Sequence, residues 1–126
     1  MRFEIAAPLL GASYCHCSRC RRRTGTAASA NGRTAPGSFR IVQGLEHVRS
    51  WTPEGGAEKA FCGRCGSALF SRTADEPPRI GVRLGALDDE PGVRPSYRQF
   101  VADAASWEAI PDDGLPRYPG ARPADA

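Results

Sequence analysis

Two Cys-x-x-Cys turns, Cys17-Ser18-Arg19-Cys20 and Cys62-Gly63-Arg64-Cys65, constrain this chain of 126 residues more than any other feature. A turn of this spacing offers two sulfurs to one ion, and its backbone amides hydrogen-bond to them. Gly66 suits the positive-φ position that closes the second turn. Cys15 stands two residues ahead of the first turn and brings the count to five, an odd number that a fully paired disulfide framework excludes. The opening stretch has Glu4 and Pro8 inside its apolar run, so it does not read as an export signal. The expected compartment is the cytoplasm, where thiols stay reduced and clustered cysteines serve metal or redox chemistry. No apolar run approaches the roughly 20 residues of a membrane span.

The length is that of one domain. Gly (14) and Pro (11) make about a fifth of the chain, which disfavours long helices and favours short strands joined by turns. Charge is uneven. Residues 1–72 hold eleven basic and four acidic side chains (+7), residues 73–126 six and ten (−4), and the sum is the overall +3. Only Lys59 among the 17 basic residues is a lysine. Arginine-heavy, alanine-rich usage fits a GC-rich genome, so much of this excess is compositional.

Period-two alternation marks strands at Arg2–Ala7 and, most clearly, at Arg79–Leu84, where Ile80, Val82 and Leu84 alternate with polar neighbours. Ser13–Cys17 reads as extended, with Cys15 and Cys17 on one face and His16 on the other. Ser18–Thr24 is a polar knuckle with one helical turn ended by Gly25. Thr26–Ala30 reads as a strand of small residues. Ser38–Val42 and Glu46–Trp51 read as a hairpin around Gly44, and residues 58–71 as a second hairpin carrying the second cysteine turn. Arg98–Val101 is a further strand, and Ala102–Ala109 holds a helical turn. The expectation is an all-β domain over 1–118 and a disordered tail over 119–126.

The cysteine spacing alone leaves two arrangements open. One is a single Cys₄ site from Cys17, Cys20, Cys62 and Cys65, with Cys15 left over. In the other, Cys15, Cys17 and Cys20 form a three-ligand site whose fourth position is open, the arrangement of reactive zinc.

Cys15-His16-Cys17-Ser18-Arg19-Cys20-Arg21, then Thr24-Gly25, Phe39, Gly44 and Phe61-Cys62-Gly63-Arg64-Cys65-Gly66, resembles the glutathione-dependent formaldehyde-activating enzyme family, which includes centromere protein V-like domains. Gly85-Ala86-Leu87-Asp88, Arg94-Pro95, Trp107, Asp113 and Leu115-Pro116 are similar to the family's C-terminal stretch. The likeness runs from about Arg2 to Tyr118. It implies an Mss4-like fold of small coiled antiparallel sheets around zinc knuckles. It also implies two Zn²⁺ sites, with Cys15, Cys17 and Cys20 as the catalytic one and Cys62 and Cys65 as half of a structural one. In the family, a Cys-x-Cys-Gly motif just before the first strand completes the structural site. Arg2-Phe3-Glu4-Ile5 matches that strand, so the motif would lie before Met1, and the expectation is that this chain starts late.

The implied activity is a carbon–sulfur lyase reaction run toward S-hydroxymethylglutathione, from glutathione or another small thiol and formaldehyde or a related aldehyde. Arg19, Arg21 and Arg22, with Arg23, crowd the three-cysteine segment and are the candidates for pairing with the carboxylates of the thiol. The other reading is a non-catalytic zinc-binding module, a scaffold or a nucleic-acid contact. Nucleic acid is disfavoured because no aromatics interleave the basic run. His16 is expected to be structural, pointing away from the cysteines, and His47 is not expected to be a ligand. Trp51, Trp107 and Phe61 are expected in the core or a pocket wall.

Overall fold

The computed structural model describes residues 1–126. Nine short strands alternate with turns and one α-helix, as the Gly and Pro content requires. β1 (Arg2–Ile5) pairs antiparallel with β4 (Phe39–Gln43) in a two-stranded sheet. The other strands are β2 (Gly11–Cys15), β3 (Ser29–Arg33), β5 (Val48–Trp51), β6 (Glu58–Cys62), β7 (Ala68–Arg72), β8 (Ile80–Arg83) and β9 (Pro95–Gln99). They form one seven-stranded sheet in the order β5-β6-β7-β8-β3-β2-β9. Every pair in it is antiparallel except β2–β9, which is parallel, so the sheet is mixed where a purely antiparallel one was expected.

The alternation in β8 sets the two faces of this sheet. Val82 lies level with Phe70 of β7 and Gly32 of β3, and Phe70 with Ala60 of β6. These residues face the small sheet and form the core with Leu9, Phe3, Ile5, Phe39 and Ile41. Phe39 stacks at 4.7 Å on Phe70 and 5.2 Å on Phe3, a tilted aromatic ladder that ties the two sheets together. The opposite face is polar. The register lines up Lys59 with Ser71, Ser71 with Gly81, Arg83 with Asn31, and Ser29 with Cys15. Helix α1 (Ser18–Thr24) leaves β2 through Cys17 and lies over this polar face.

The hairpin expected around Gly44 does not form. β4 pairs with β1, while β5 pairs with β6, and a 3₁₀ turn at Leu45–His47 carries the chain from one sheet to the other. Alternation encodes which face a residue takes but not which strand it pairs with. The second hairpin forms as expected, as β6 and β7. The small-residue strand sits three residues later than read, at Ser29–Arg33, and β9 begins three residues earlier, at Pro95. Only a 3₁₀ turn, Val101–Asp103, occupies the C-terminal stretch read as helical.

Residues 116–120 run beside β9, where the Arg98 and Phe100 amides donate to the Pro116 and Gly120 carbonyls. The region expected to be tail starts at Pro119, and its first residues make contacts. Pro119 and Gly120 accept backbone hydrogen bonds, and Arg122 lies over the Tyr97 ring. No helix is long and apolar enough to cross a membrane.

Candidate metal centre

Cys15 ends β2, Cys17 caps the N-terminus of α1, and Cys20 occupies its first turn. The cap geometry is set locally: extended Cys17 accepts the Cys20 amide on its Sγ at 3.3 Å. Gly25 closes the helix after seven residues. This turn brings the sulfurs of Cys15, Cys17 and Cys20 within 4.8 Å of one another, with Cys15 and Cys20 buried. Three thiolates at ~2.3 Å from a tetrahedral ion stand about 3.8 Å apart, so these residues can hold a metal ion with little rearrangement. The donor set is all sulfur, which suits a soft or borderline ion.

The three thiols are coupled. Cys20 is held down to about 5, first by the hydrogen bond from Cys15, then by those from Ser29 and Cys17 and by the Arg83 charge. The Cys15 thiol is pushed up, chiefly because it keeps the proton it donates to Cys20, and then by burial. Two anionic sulfurs so close repel each other, and a metal cation would release the retained proton.

A chain of polar groups supports Cys20 from the strands beneath. Arg83 Nη1 donates to Asn31 Oδ1 at 2.7 Å, and Asn31 Nδ2 donates to Ser29 Oγ at 2.9 Å. The Ser29 hydroxyl in turn helps to hold the Cys20 thiol down. None of these three residues stood out in the sequence. Arg83 had a signal, because it alternates with apolar Val82 and must take the opposite face of β8.

His16 points away from the sulfurs, as expected. It is buried, its Nε2 lies 3.2 Å from Arg98 Nη1, and burial is the main cause that keeps its imidazole neutral. Arg98, also buried, forms an ion pair with Asp113 at 2.8 Å and lies 4.2 Å from the Tyr14 ring centre. A cavity of about 280 Å³ lies beside this group. A larger one, about 820 Å³, sits between β1 and residues 86–91, and neither is lined by the cysteines.

Of the candidate arginines, Arg22 is exposed and Arg21 half-buried with an unpartnered Nε. Arg19 reaches over the polar face to Gly56, 2.9 Å from where a Cβ on that glycine would stand. Trp51 and Trp107 are exposed rather than in the core or a pocket wall, at 49% and 68%. Phe61 is half-buried.

Cys62 and Cys65 lie elsewhere. Cys62 ends β6, buried, and Cys65 is exposed in the turn to β7. Gly66 adopts φ 78°, as expected, and donates to the Cys62 carbonyl at 2.7 Å. Cys65 is lowered to about 7, first by the hydrogen bond with the Ser67 hydroxyl, 3.1 Å away. The Met1 ammonium is a minor contributor to the same shift. No third histidine, cysteine or carboxylate joins the pair. β6 is four strand positions from β2 in the sheet, on the order of 19 Å. The Cys₄ site drawn from both turns is therefore excluded.

Residues 1–103 match the family model for the glutathione-dependent formaldehyde-activating enzyme, and the chain belongs to that family. A Halomonas elongata protein that bears the same family name as a provisional designation is 27% identical over 96 residues, which cover 71% of this chain. The match spans 61% of that relative, so this chain accounts for about three fifths of its length. A Rhodobacter sphaeroides protein of known crystal structure is 27% identical, with a TM-score of 0.53 over 92% of this chain and 89% of that one.

Proposed function

We propose that this chain binds zinc through Cys15, Cys17 and Cys20 and promotes addition of glutathione, or another small thiol, to formaldehyde or a related small aldehyde. The observation that carries this reading is the three-thiol cluster, two of its members buried, on a polar, cation-rich face in a chain of this family. Zinc, when bound, supplies Lewis acidity and favours the thiolate form of a ligand sulfur. The remaining work falls to the protein. The Ser29–Asn31–Arg83 chain orients Cys20, and α1 holds Cys17 and Cys20 at fixed separation. Arg19, Arg21 and Arg22 add positive potential that draws an anionic thiol to this face.

The overall step forms a carbon–sulfur bond between the thiolate sulfur and the aldehyde carbon. The carbonyl π electrons pass to oxygen, which takes a proton, and the reverse step is a carbon–sulfur lyase reaction. Formaldehyde adds thiols without a catalyst, so the protein's contribution is positioning and thiolate supply. Cys62 and Cys65 are proposed as half of a second, structural metal site. The five free cysteines suit a reducing compartment such as the cytoplasm.

Exchange of ¹³C-formaldehyde with glutathione, followed by NMR on zinc-loaded protein, tests the reading. The expected result is acceleration above the uncatalysed rate that Cys20→Ser abolishes. Equal rates with and without the protein would overturn it.

A further inference from the structure

We propose that Arg83, Arg23 and Lys59 form a seat for the carboxylates of the thiol, so that the site selects carboxylate-bearing thiols over neutral ones. This deepens the reading above and rests on it for the identity of the ligand.

The seat is defined by burial without partners. Arg83 is 7% exposed and makes one side-chain hydrogen bond, to Asn31. Its Nε is buried with no acceptor, and so is Arg23 Nη1 on the helix above. A buried guanidinium with open donors is unfavourable unless an acceptor arrives, and its planar fork matches a carboxylate.

Lys59 belongs to the same layer. The register carries it through Ser71 and Gly81 to the face that holds Arg83, Asn31, Ser29 and Cys15. Lys59 and Arg83 are each lowered, first by burial and then by neighbouring cations, Arg83 and Arg23 respectively. The only anions that act on Arg23, Lys59 and Arg83 are the cysteine sulfurs. Asp75, Asp88, Asp113, Glu4, Glu46 and Glu90 pair with other residues, and none of the seat cations is in an ion pair.

The charge count also asks for a ligand. Three thiolates around one divalent ion carry about −1 in total. Arg19, Arg23, Lys59 and Arg83 together carry +4 on that face, which leaves about +3 unmatched. A thiol with two carboxylates answers most of it.

The experiment uses S-methylglutathione, whose sulfur is blocked while both carboxylates remain, and its diethyl ester, whose carboxylates are neutral. Binding of each is measured by calorimetry on the 126-residue chain. The free acid is expected to bind roughly tenfold or more tightly than the ester, and Arg83→Gln and Lys59→Gln to remove that preference. Circular dichroism checks that each variant folds, and half-buried Lys59 provides the test if Arg83→Gln does not. No binding of the acid at millimolar concentration, equal binding of acid and ester, or an unchanged preference in Lys59→Gln would overturn the seat. Acid-over-ester preference in a protein that fails to accelerate formaldehyde exchange would uphold the seat and sink the proposed reaction.

Discussion

At one end of the large sheet, three thiols converge on strand β2, and a row of polar and cationic side chains from β3, β8 and β6 stands behind them. Near the other end, the β6–β7 turn presents two thiols, and its own Ser67 hydroxyl is the main polar support of the exposed one, Cys65. Both places use the same Cys-x-x-Cys turn. The turn sets a pair of sulfurs, but the neighbouring strands decide the rest. The three-thiol end gains Cys15 because β2 runs directly into the turn, and Ser29 because it lies level with Cys15. The other end is a hairpin whose strands turn apolar residues toward the core.

The largest effect that separates the two ends concerns metal retention. Cys20→Ser is expected to weaken binding at the three-thiol centre by more than roughly 100-fold, above the usual loss from a supporting residue. Cys62→Ser should leave that centre unchanged. Chelator competition with metal analysis reads both, and equal losses would break the distinction.

The next effect concerns the wall of the three-thiol end. Arg98, itself buried, bonds exposed Asp113 and lies against the buried His16 ring, so Arg98→Met takes a partner from each. A loss of stability in urea unfolding is expected, carried mainly by the buried His16 ring that loses its partner. Amide exchange should rise in β2 and β9 while β6 and β7 stay protected, and a uniform rise would show that the two ends are not independent.

A smaller effect belongs to the hairpin end. Gly66→Ala places a Cβ at φ 78° and should cost about 1–2 kcal/mol. Metal affinity at Cys15, Cys17 and Cys20 should not change with it.

The smallest effect is a pH dependence. The Arg98 guanidinium holds Asp113 below its ordinary 3.8, so the folded state binds that proton less readily than the unfolded chain. Its contribution is present above pH 3.8 and is lost as pH falls through and below that value. Thermal melts of Asp113→Asn should show a flatter acid limb than the parent protein. An unchanged limb would exclude Asp113 as its source.

Much of the three-thiol end was legible in the sequence because it is local. Alternation separates Cys15 from His16, the spacing sets the Cys17–Cys20 turn, and Gly25 stops the helix. The polar layer behind the thiols was not legible, since Lys59, Arg83 and Asn31 meet only through the register of four strands. The same limit produced the false hairpin at Gly44, where adjacent strands join different sheets. Trp51 and Trp107 were misplaced because aromatic size predicts burial only where a neighbouring surface exists to receive the ring.

The parallel pairing of β2 with β9 bears on how the chain is made. The β5–β8 end is a succession of neighbours in sequence, and such contacts form early as a nascent chain emerges. β2 pairs early with β3, but its second edge waits for a strand that ends at Gln99, whose carbonyl receives the His16 amide at 3.0 Å. Ribosomal synthesis therefore supplies one neighbour of the cysteine strand early and the other late. Until residues 95–99 are made, the strand that ends in Cys15 has β3 on one side and an open edge on the other.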